Sequence, residues 1–436
     1  MTTSPTPDDR PSAPDAALVV RTVRLDLDAA TALVTLLPTD SPVTWLRRGN
    51  GLVGWGRAAG IRTRGATRFA DAGKWWNEVT AAAVVRDEIN EPGSGLVCFG
   101  SFAFADEPGD SLLVVPEVVV GRRGDTTWLT TISAADGATP EHDLLEVATA
   151  AVIDRADEPV PPADVAFADG ALDGERWMTV VADAVARISA GDLEKVVLAR
   201  DLIATADAPI DVRWPLRRLT EMYPMCWTFH VDGLFGATPE MLVRRERGLV
   251  TSRVLAGTIR RTGDDERDLA LAATLARSSK DLEEHEYAVR SVADALDPHC
   301  SSMNVPEAPF VLHLPNVMHL ATDVAGVVHD AATVSSLQLA EALHPSAAVG
   351  GTPTPVATAL IAQIERMDRG RYAGPVGWMD SSGDGEWGIA LRSASVEDRT
   401  VRLFAGCGIV ADSDPEAELA ESQAKFVPVR DALSAP

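Results

Sequence analysis

The sequence predicts an α+β fold built on large antiparallel sheets, and two observations carry that expectation. Apolar stretches of strand length are joined in pairs by short turn signals, the mark of hairpins. Helical periodicities lie scattered between these pairs, without the regular strand–helix alternation of a parallel sheet. The 436 residues are 46% hydrophobic and 24% charged, which excludes a largely disordered chain, a coiled coil or a collagen-like repeat. At roughly 100–200 residues per domain, that length means several domains or one composite fold.

Taken in order, residues 1–16 are polar, acidic and proline-rich, and read as a disordered tail with no secretory signal. Residues 17–156 form the N-terminal part. There Leu46 to Arg48 and Leu52 to Trp55 flank Gly49-Asn50-Gly51, a hairpin signal. Leu96 to Ala105, Ser111 to Val120 and Thr127 to Ile132 are further strands. The run Asp157 to Pro162 is acidic and proline-rich, the best linker in the chain.

Residues 165–436 form the C-terminal part. It opens with a helix whose apolar face is Trp177, Val180, Val181, Ala184, Val185 and Ile188, stopped by Gly191. Lys195 to Asp201 reads as a buried strand. Cys226 to Val231 and Leu234 to Thr238 flank Asp232-Gly233, a second hairpin signal. Helices are expected at Asp265–Leu275, Lys280–Leu296, Thr333–Leu343 and Pro355–Arg366. Strands are expected at Gly374–Met379, Glu386–Val396 and Val401–Phe404. The last helix starts at Ser413-Asp414-Pro415-Glu416, with proline just inside its start.

Composition narrows the partners. Thirty-nine basic residues against 64 acidic ones leave a net charge of −25, a field that repels nucleic acid and anionic membrane surfaces. No apolar run approaches the ~20 residues that span a bilayer. Cys98, Cys226, Cys300 and Cys407 have no metal-ligand or CxxC spacing, so a reducing, cytoplasmic setting is expected.

Several residues are candidates for chemistry. Lys195 begins an otherwise apolar strand, and desolvation disfavours an ammonium, which is how a lysine becomes a usable base. The ordinary alternative is a strand-end lysine reaching for water. Glu240 follows Thr238-Pro239 directly after a hairpin strand; in an apolar setting it would serve as a general acid, in an open one merely as an exposed turn residue. Glu283, Glu284 and Glu286 share one helix, and Glu416, Glu418 and Glu421 another. Two such helices facing each other would hold a hard cation, and Mg²⁺ fits because it needs few carboxylates and leaves positions for an anionic substrate. Gly350-Gly351 and Gly406-Cys407-Gly408 lack phosphate-loop features and read as places of close backbone approach, with Cys407 structural.

An ordered set of segments resembles the chorismate-utilising enzymes. The segments are Lys195-Val-Val-Leu-Ala-Arg200, Phe235-Gly-Ala-Thr-Pro-Glu240, Leu255-Ala-Gly-Thr258, Ser279-Lys-Asp-Leu-Glu-Glu-His285 and Val317-Met-His-Leu-Ala-Thr322. They continue through Leu343-His-Pro345, Gly350-Gly-Thr-Pro353, Tyr372-Ala-Gly-Pro-Val-Gly-Trp378, Gly383-Asp-Gly-Glu-Trp387, Ala390-Leu-Arg392, Ala405-Gly406 and the Glu421/Lys425 pair.

The resemblance implies two large, mainly antiparallel sheets packed face to face with helices outside, with the N- and C-terminal parts intermixed. It implies chorismate as substrate and Mg²⁺ as cofactor. On this pattern Glu284 and Glu421 hold the metal with Glu418 nearby. Gly257 and Thr258 position the ring carboxylate; Arg392, Gly406, Lys425 and Tyr372 serve the enolpyruvyl carboxylate; His319 and Ala348 line the ring pocket. Lys195 is the base and Glu240 the acid.

A lysine base, together with Ala256 where some aminating relatives carry a nucleophilic lysine, selects water as nucleophile. The implied activity is isochorismate synthesis, for menaquinone or siderophore pathways, with salicylate synthesis (the same step followed by pyruvate elimination) as the alternative. An inert acidic scaffold is the competing class. A monomer is the expectation.

Overall fold

A computed structural model describes residues 17–135, 148–149, 157–313 and 317–434, leaving the side chains of Lys280 and Glu284 outside that set. The expected tail, 1–16, lies outside the described residues. Among the described residues no helix is long and apolar enough to cross a membrane.

The strands form two sheets of 13 and 10 strands among the described residues. Every pairing given for them is antiparallel except that of Leu18–Arg24 with Val84–Asp87. The sheets face each other across a core to which both contribute, with Trp45, Trp128, Trp227 and Phe229 from the larger and Phe99, Val376 and Trp378 from the smaller. Helices cover the outer faces. Leu216 and Leu219 of helix Arg213–Met222 and Phe426 and Val429 of helix Pro415–Leu433 pack outside the larger sheet. Phe69, Trp75 and Trp76 of helix Arg68–Ala82 and Leu337 and Leu339 of helix Ser336–Ala342 join the core outside the smaller.

Strands from either side of the 157–162 segment share both sheets: Val43–Arg47 pairs with Trp227–Val231 in the larger, and Val97–Ser101 with Pro375–Asp380 in the smaller.

Three sequence expectations need correction. The first hairpin turns at Arg48-Gly49, both at positive φ, because Arg47 pairs with Asn50 and draws Asn50 and Gly51 into the strand. The expected strand Ser111–Val120 is two, Ser111–Val115 in the smaller sheet and Val118–Arg123 in the larger, broken at Pro116. Likewise Glu386–Val396 divides into Gly385–Ile389 and Ser393–Glu397, again in different sheets. A continuous apolar run conceals such a crossing, since either sheet buries the residues it receives.

Candidate active site

The second of these breaks builds the site. From Leu234–Thr238 the chain leaves the larger sheet for Met241–Glu246 of the smaller through Pro239 and Glu240. It returns from Gly385–Ile389 to Ser393–Glu397 through Ala390, Leu391 and Arg392. The two crossings bind each other: Ile389 N–H donates to the Glu240 carbonyl at 3.1 Å, and Ala237 N–H to the Arg392 carbonyl at 3.2 Å. Arg392 holds φ at 49°, which turns the chain and brings its side chain beside Glu240.

Glu240 is half-buried, and burial pushes its carboxyl up to about 7 against the opposing pull of Arg392, Lys195 and Lys425. That pull itself places three cations around the group. Lys195 opens strand Lys195–Thr205, which pairs with Thr400–Ile409. Gly408 lies beneath its side chain: a methyl there would meet Lys195 Cε at 3.0 Å. Gly351, at φ 140°, lets strand Gly351–Thr352 lie against Lys195, since any side chain would strike the Lys195 carbonyl.

The last helix supplies charges of both signs. Lys425 Nζ donates to the Gly406 carbonyl at 2.8 Å and pairs with Glu421 at 2.6 Å. Burial pushes Glu421 up, but Lys425, Arg392 and Arg260 outweigh it and hold it below the ordinary value. Burial raises Glu418, against a hydrogen bond from Ser413 at 2.9 Å. Carboxylate oxygens of Glu418 and Glu421 and Cys407 Sγ lie within 4.8 Å of one another. The two carboxylates suit a hard divalent cation. The Cys407 thiol, which burial pushes up to about 12, stays protonated and is no ligand for one. Glu284 lies on helix Ser279–Leu296, which packs on strands Leu249–Arg260 and Val317–Val328; its side chain is outside the described residues.

Those two strands carry the next group. Gly257, at φ 77°, forms a bulge in their ladder, so that Thr258 stands opposite His319 and their side chains meet at 2.9 Å. Burial, then Arg392 and Lys425, press the His319 imidazole down to about 4. Tyr372 is buried, stacks on Phe404 with centroids 5.0 Å apart, and is pushed up by burial; a methyl at Gly406 would meet its hydroxyl at 3.1 Å. Ala348 lies, half-buried, in the loop leading to strand Gly351–Thr352.

Lys195, Glu240, His319, Arg392, Glu421 and Lys425 therefore share one field; Gly406 binds Lys425, Tyr372 lies against Gly406, and Glu418 lies within 4.8 Å of Glu421. Sequence reasoning passed over Arg260, which acts on Glu421, and read Ser413 only as the start of the last helix; Asp414 caps that helix, and Ser413 binds Glu418. The long strands Leu249–Arg260 and Val317–Val328 were also not foreseen, although they contain recognised segments.

The sequence profile of the chorismate binding enzymes matches residues 28–434. Isochorismate synthase MenF of Bacillus subtilis is 33% identical over 402 residues, 88% of this chain and 85% of the relative. Isochorismate synthase DhbC of the same organism is 42% identical over 263 residues, 58% of this chain and 66% of the relative. Among solved structures, MenF, the menaquinone-specific isochorismate synthase of Escherichia coli, superposes with a TM-score of 0.79 at 25% identity, covering 96% of this chain and 95% of that one.

Proposed function

The chain belongs to the chorismate binding enzymes, and from that premise we propose that it is an isochorismate synthase, adding water to chorismate at C2 and releasing the C4 hydroxyl. One observation carries the chemistry: Glu240, a carboxyl that burial pushes up to about 7, stands with the Lys195 side chain among its neighbours. A group near neutrality can give its proton to a departing hydroxyl and take it back in the reverse direction.

Lys195, acting as its neutral amine, takes a proton from the attacking water and becomes the ammonium, while Glu240 protonates the C4 oxygen from the other side of the ring. Arg392 and Lys425 bind the enolpyruvyl carboxylate, with the Gly406 backbone and Tyr372 behind it. The Gly257 bulge and Thr258 orient the ring carboxylate; His319 and Ala348 wall the ring. His319, neutral with Thr258 as partner, adds a polar contact without adding charge.

Glu421 and Glu284, with Glu418 behind, would hold Mg²⁺, which when bound neutralises the ring carboxylate and anchors it. Ala256 offers no nucleophile, so water and not a covalent lysine adduct is the route. Local cations matter because the net charge of −25 opposes a dianionic substrate at long range.

Chromatography of products after incubation with chorismate and Mg²⁺ tests the reading. Isochorismate in equilibrium with chorismate is expected. Stoichiometric salicylate and pyruvate would make the chain a salicylate synthase, and unchanged chorismate would end the proposal.

A further inference from the structure

The strand that begins with Lys195 has an incomplete edge. Val197 to Ala199 pair with Gly408 to Gly406 on one side. On the other, strand Gly351–Thr352 stops at Val196, and strand Ala166–Asp169 begins at Leu202. Backbone groups left on a buried edge must find partners. Here they find side chains and a loop. Val197 N–H donates to the Gly350 carbonyl at 2.9 Å, and the Ala199 carbonyl accepts from Trp177 Nε1 at 3.3 Å. Ala199 N–H donates to Glu365 Oε1 at 2.7 Å, and the Val197 carbonyl accepts from Arg369 Nη2 at 2.6 Å.

Arg369 does more than fill the gap. Its Nη1 donates to the Val349 carbonyl at 3.0 Å, its Nε donates to Glu365 Oε2 at 2.9 Å, and the guanidinium lies 4.2 Å over the Phe104 ring. Glu365 is 1% exposed and Arg369 3%. A buried ion pair is weak evidence of stability, because desolvation cancels much of the attraction. What this pair has beyond charge is geometry. One planar fork grips two carbonyls on separate segments, and its carboxylate partner grips an amide on the first of them.

We infer that Glu365 and Arg369 are positioning residues for the reaction: they replace the missing strand edge and fix the Lys195 strand against the Ala348–Val349 loop. The inference rests on the reading of Lys195 as the base. The base and the wall of the ring pocket thus belong to one rigid unit, joined by side chains that do not touch substrate. Slippage of the loop along the strand would move Ala348 relative to Lys195 by fractions of an ångström, enough to matter where a proton must be taken in flight.

The test compares Arg369→Lys, Arg369→Met and Glu365→Gln in the full chain with Mg²⁺ and chorismate, read per folded molecule. Positioning predicts that kcat falls by about ten- to a hundredfold while KM stays within about threefold. Lysine should not rescue the arginine, since a single ammonium cannot span both carbonyls. Unchanged kcat in folded variants, with only the melting temperature lowered, or full rescue by lysine, would overturn the inference.

Acetylation of Lys195 by acetic anhydride, followed by peptide mass spectrometry, gives a readout independent of turnover. Its rate should change by about threefold or more in the variants, and an unchanged rate would count against positioning. If wild-type protein leaves chorismate unconsumed, the functional reading fails and this labelling alone decides the inference. Where Arg369→Lys does not fold, Glu365→Gln carries the same expectations.

Discussion

The two halves of the molecule solve one topological problem in the same way, and only one of them does so with half-buried charge. Outward from the junction of Val43–Arg47 with Trp227–Val231, the larger sheet reads alike in both directions: a hairpin, then a strand returning from the other sheet, then its hairpin partner. Each half therefore has a pair of crossings between sheets. In the N-terminal half these are Gly56-Arg57-Ala58 and Pro116-Glu117. They bind each other as the C-terminal pair does, with Ala58 N–H to the Val115 carbonyl at 2.9 Å and Glu117 N–H to the Trp55 carbonyl at 3.0 Å. Arg57 and Glu117 are the charged residues of these crossings, as Glu240 and Arg392 are of the C-terminal pair, with the signs exchanged in chain order, and both are exposed.

The crossing thus supplies a place, and its surroundings supply the chemistry. The C-terminal pair lies among the Lys195 strand, the two long strands of the smaller sheet and the last helix, so its charges are partly desolvated and confront one another.

The comparison is broken most severely at the carboxylates that only the C-terminal half has. Glu421→Gln or Glu284→Gln is expected to cost about a thousandfold or more in turnover, several kcal/mol of charge stabilisation, with the fold retained. Near-normal turnover of either variant at limiting Mg²⁺ would remove it from the metal site.

Next come the C-terminal crossing and the Lys195 strand beside it. Lys195→Ala and Glu240→Ala should each lose about 10²–10⁴-fold, the usual worth of a general acid or base. At the N-terminal crossings, Arg57→Ala and Glu117→Ala should stay within about twofold, as exposed positions do. Equal losses at both crossings would mean that the effect is on the fold.

Acidity sharpens the contrast further. Glu240 must carry its proton to serve as acid, so the fraction of chain holding a competent acid should fall as pH rises through about 7. Between 4.5 and about 7 the folded chain keeps a proton that an unfolded Glu240 has released, so stability also falls as pH rises across that window. The cations facing the group, Arg392, Lys195 and Lys425, oppose this shift without cancelling it. Denaturant titrations at both ends of the window should show the loss in wild-type protein and a smaller one in Glu240→Gln. The same pH dependence of stability in wild-type protein and in Glu240→Gln would refute the assignment.

Much of this was legible in the sequence, for reasons that differ by element. The hairpin Trp227–Val231/Leu234–Thr238 was plain because Asp232-Gly233 can take the backbone of a two-residue turn, and both residues have positive φ. The helix Asp265–Leu275 kept its expected bounds, with Asp264 accepting from Arg267 N–H as its cap. The crossings were not legible, because an apolar run looks the same whether one sheet or two receives it. Arg392 was found only through resemblance; its positive φ leaves no mark on a sequence read for periodicity. Glu365 and Arg369 look like an ordinary surface pair one helical turn apart. Only the missing strand beside Val197 and Ala199 gives them a task, and that absence is tertiary.

The smallest expected effect lies inside the site and tests whether its surroundings are as dry as the comparison requires. Burial opposes charge on any group, so it raises a carboxyl and lowers an imidazole, whereas neighbouring cations lower both. At Glu240 the two influences oppose and burial wins; at His319 they add, which brings the imidazole to about 4. His319 should therefore stay neutral across the working range, its Nδ1 paired with Thr258, and contribute no limb to the rate profile. In metal-free protein its ring resonances should not move between about pH 5.5 and 8, whereas an unperturbed histidine would titrate near 6.5. A midpoint near 6.5 would mean that water reaches the ring and screens Arg392 and Lys425. The same water would reach Glu240 and return it towards the ordinary carboxylate range, and the C-terminal crossing would then differ from the N-terminal one in sequence alone.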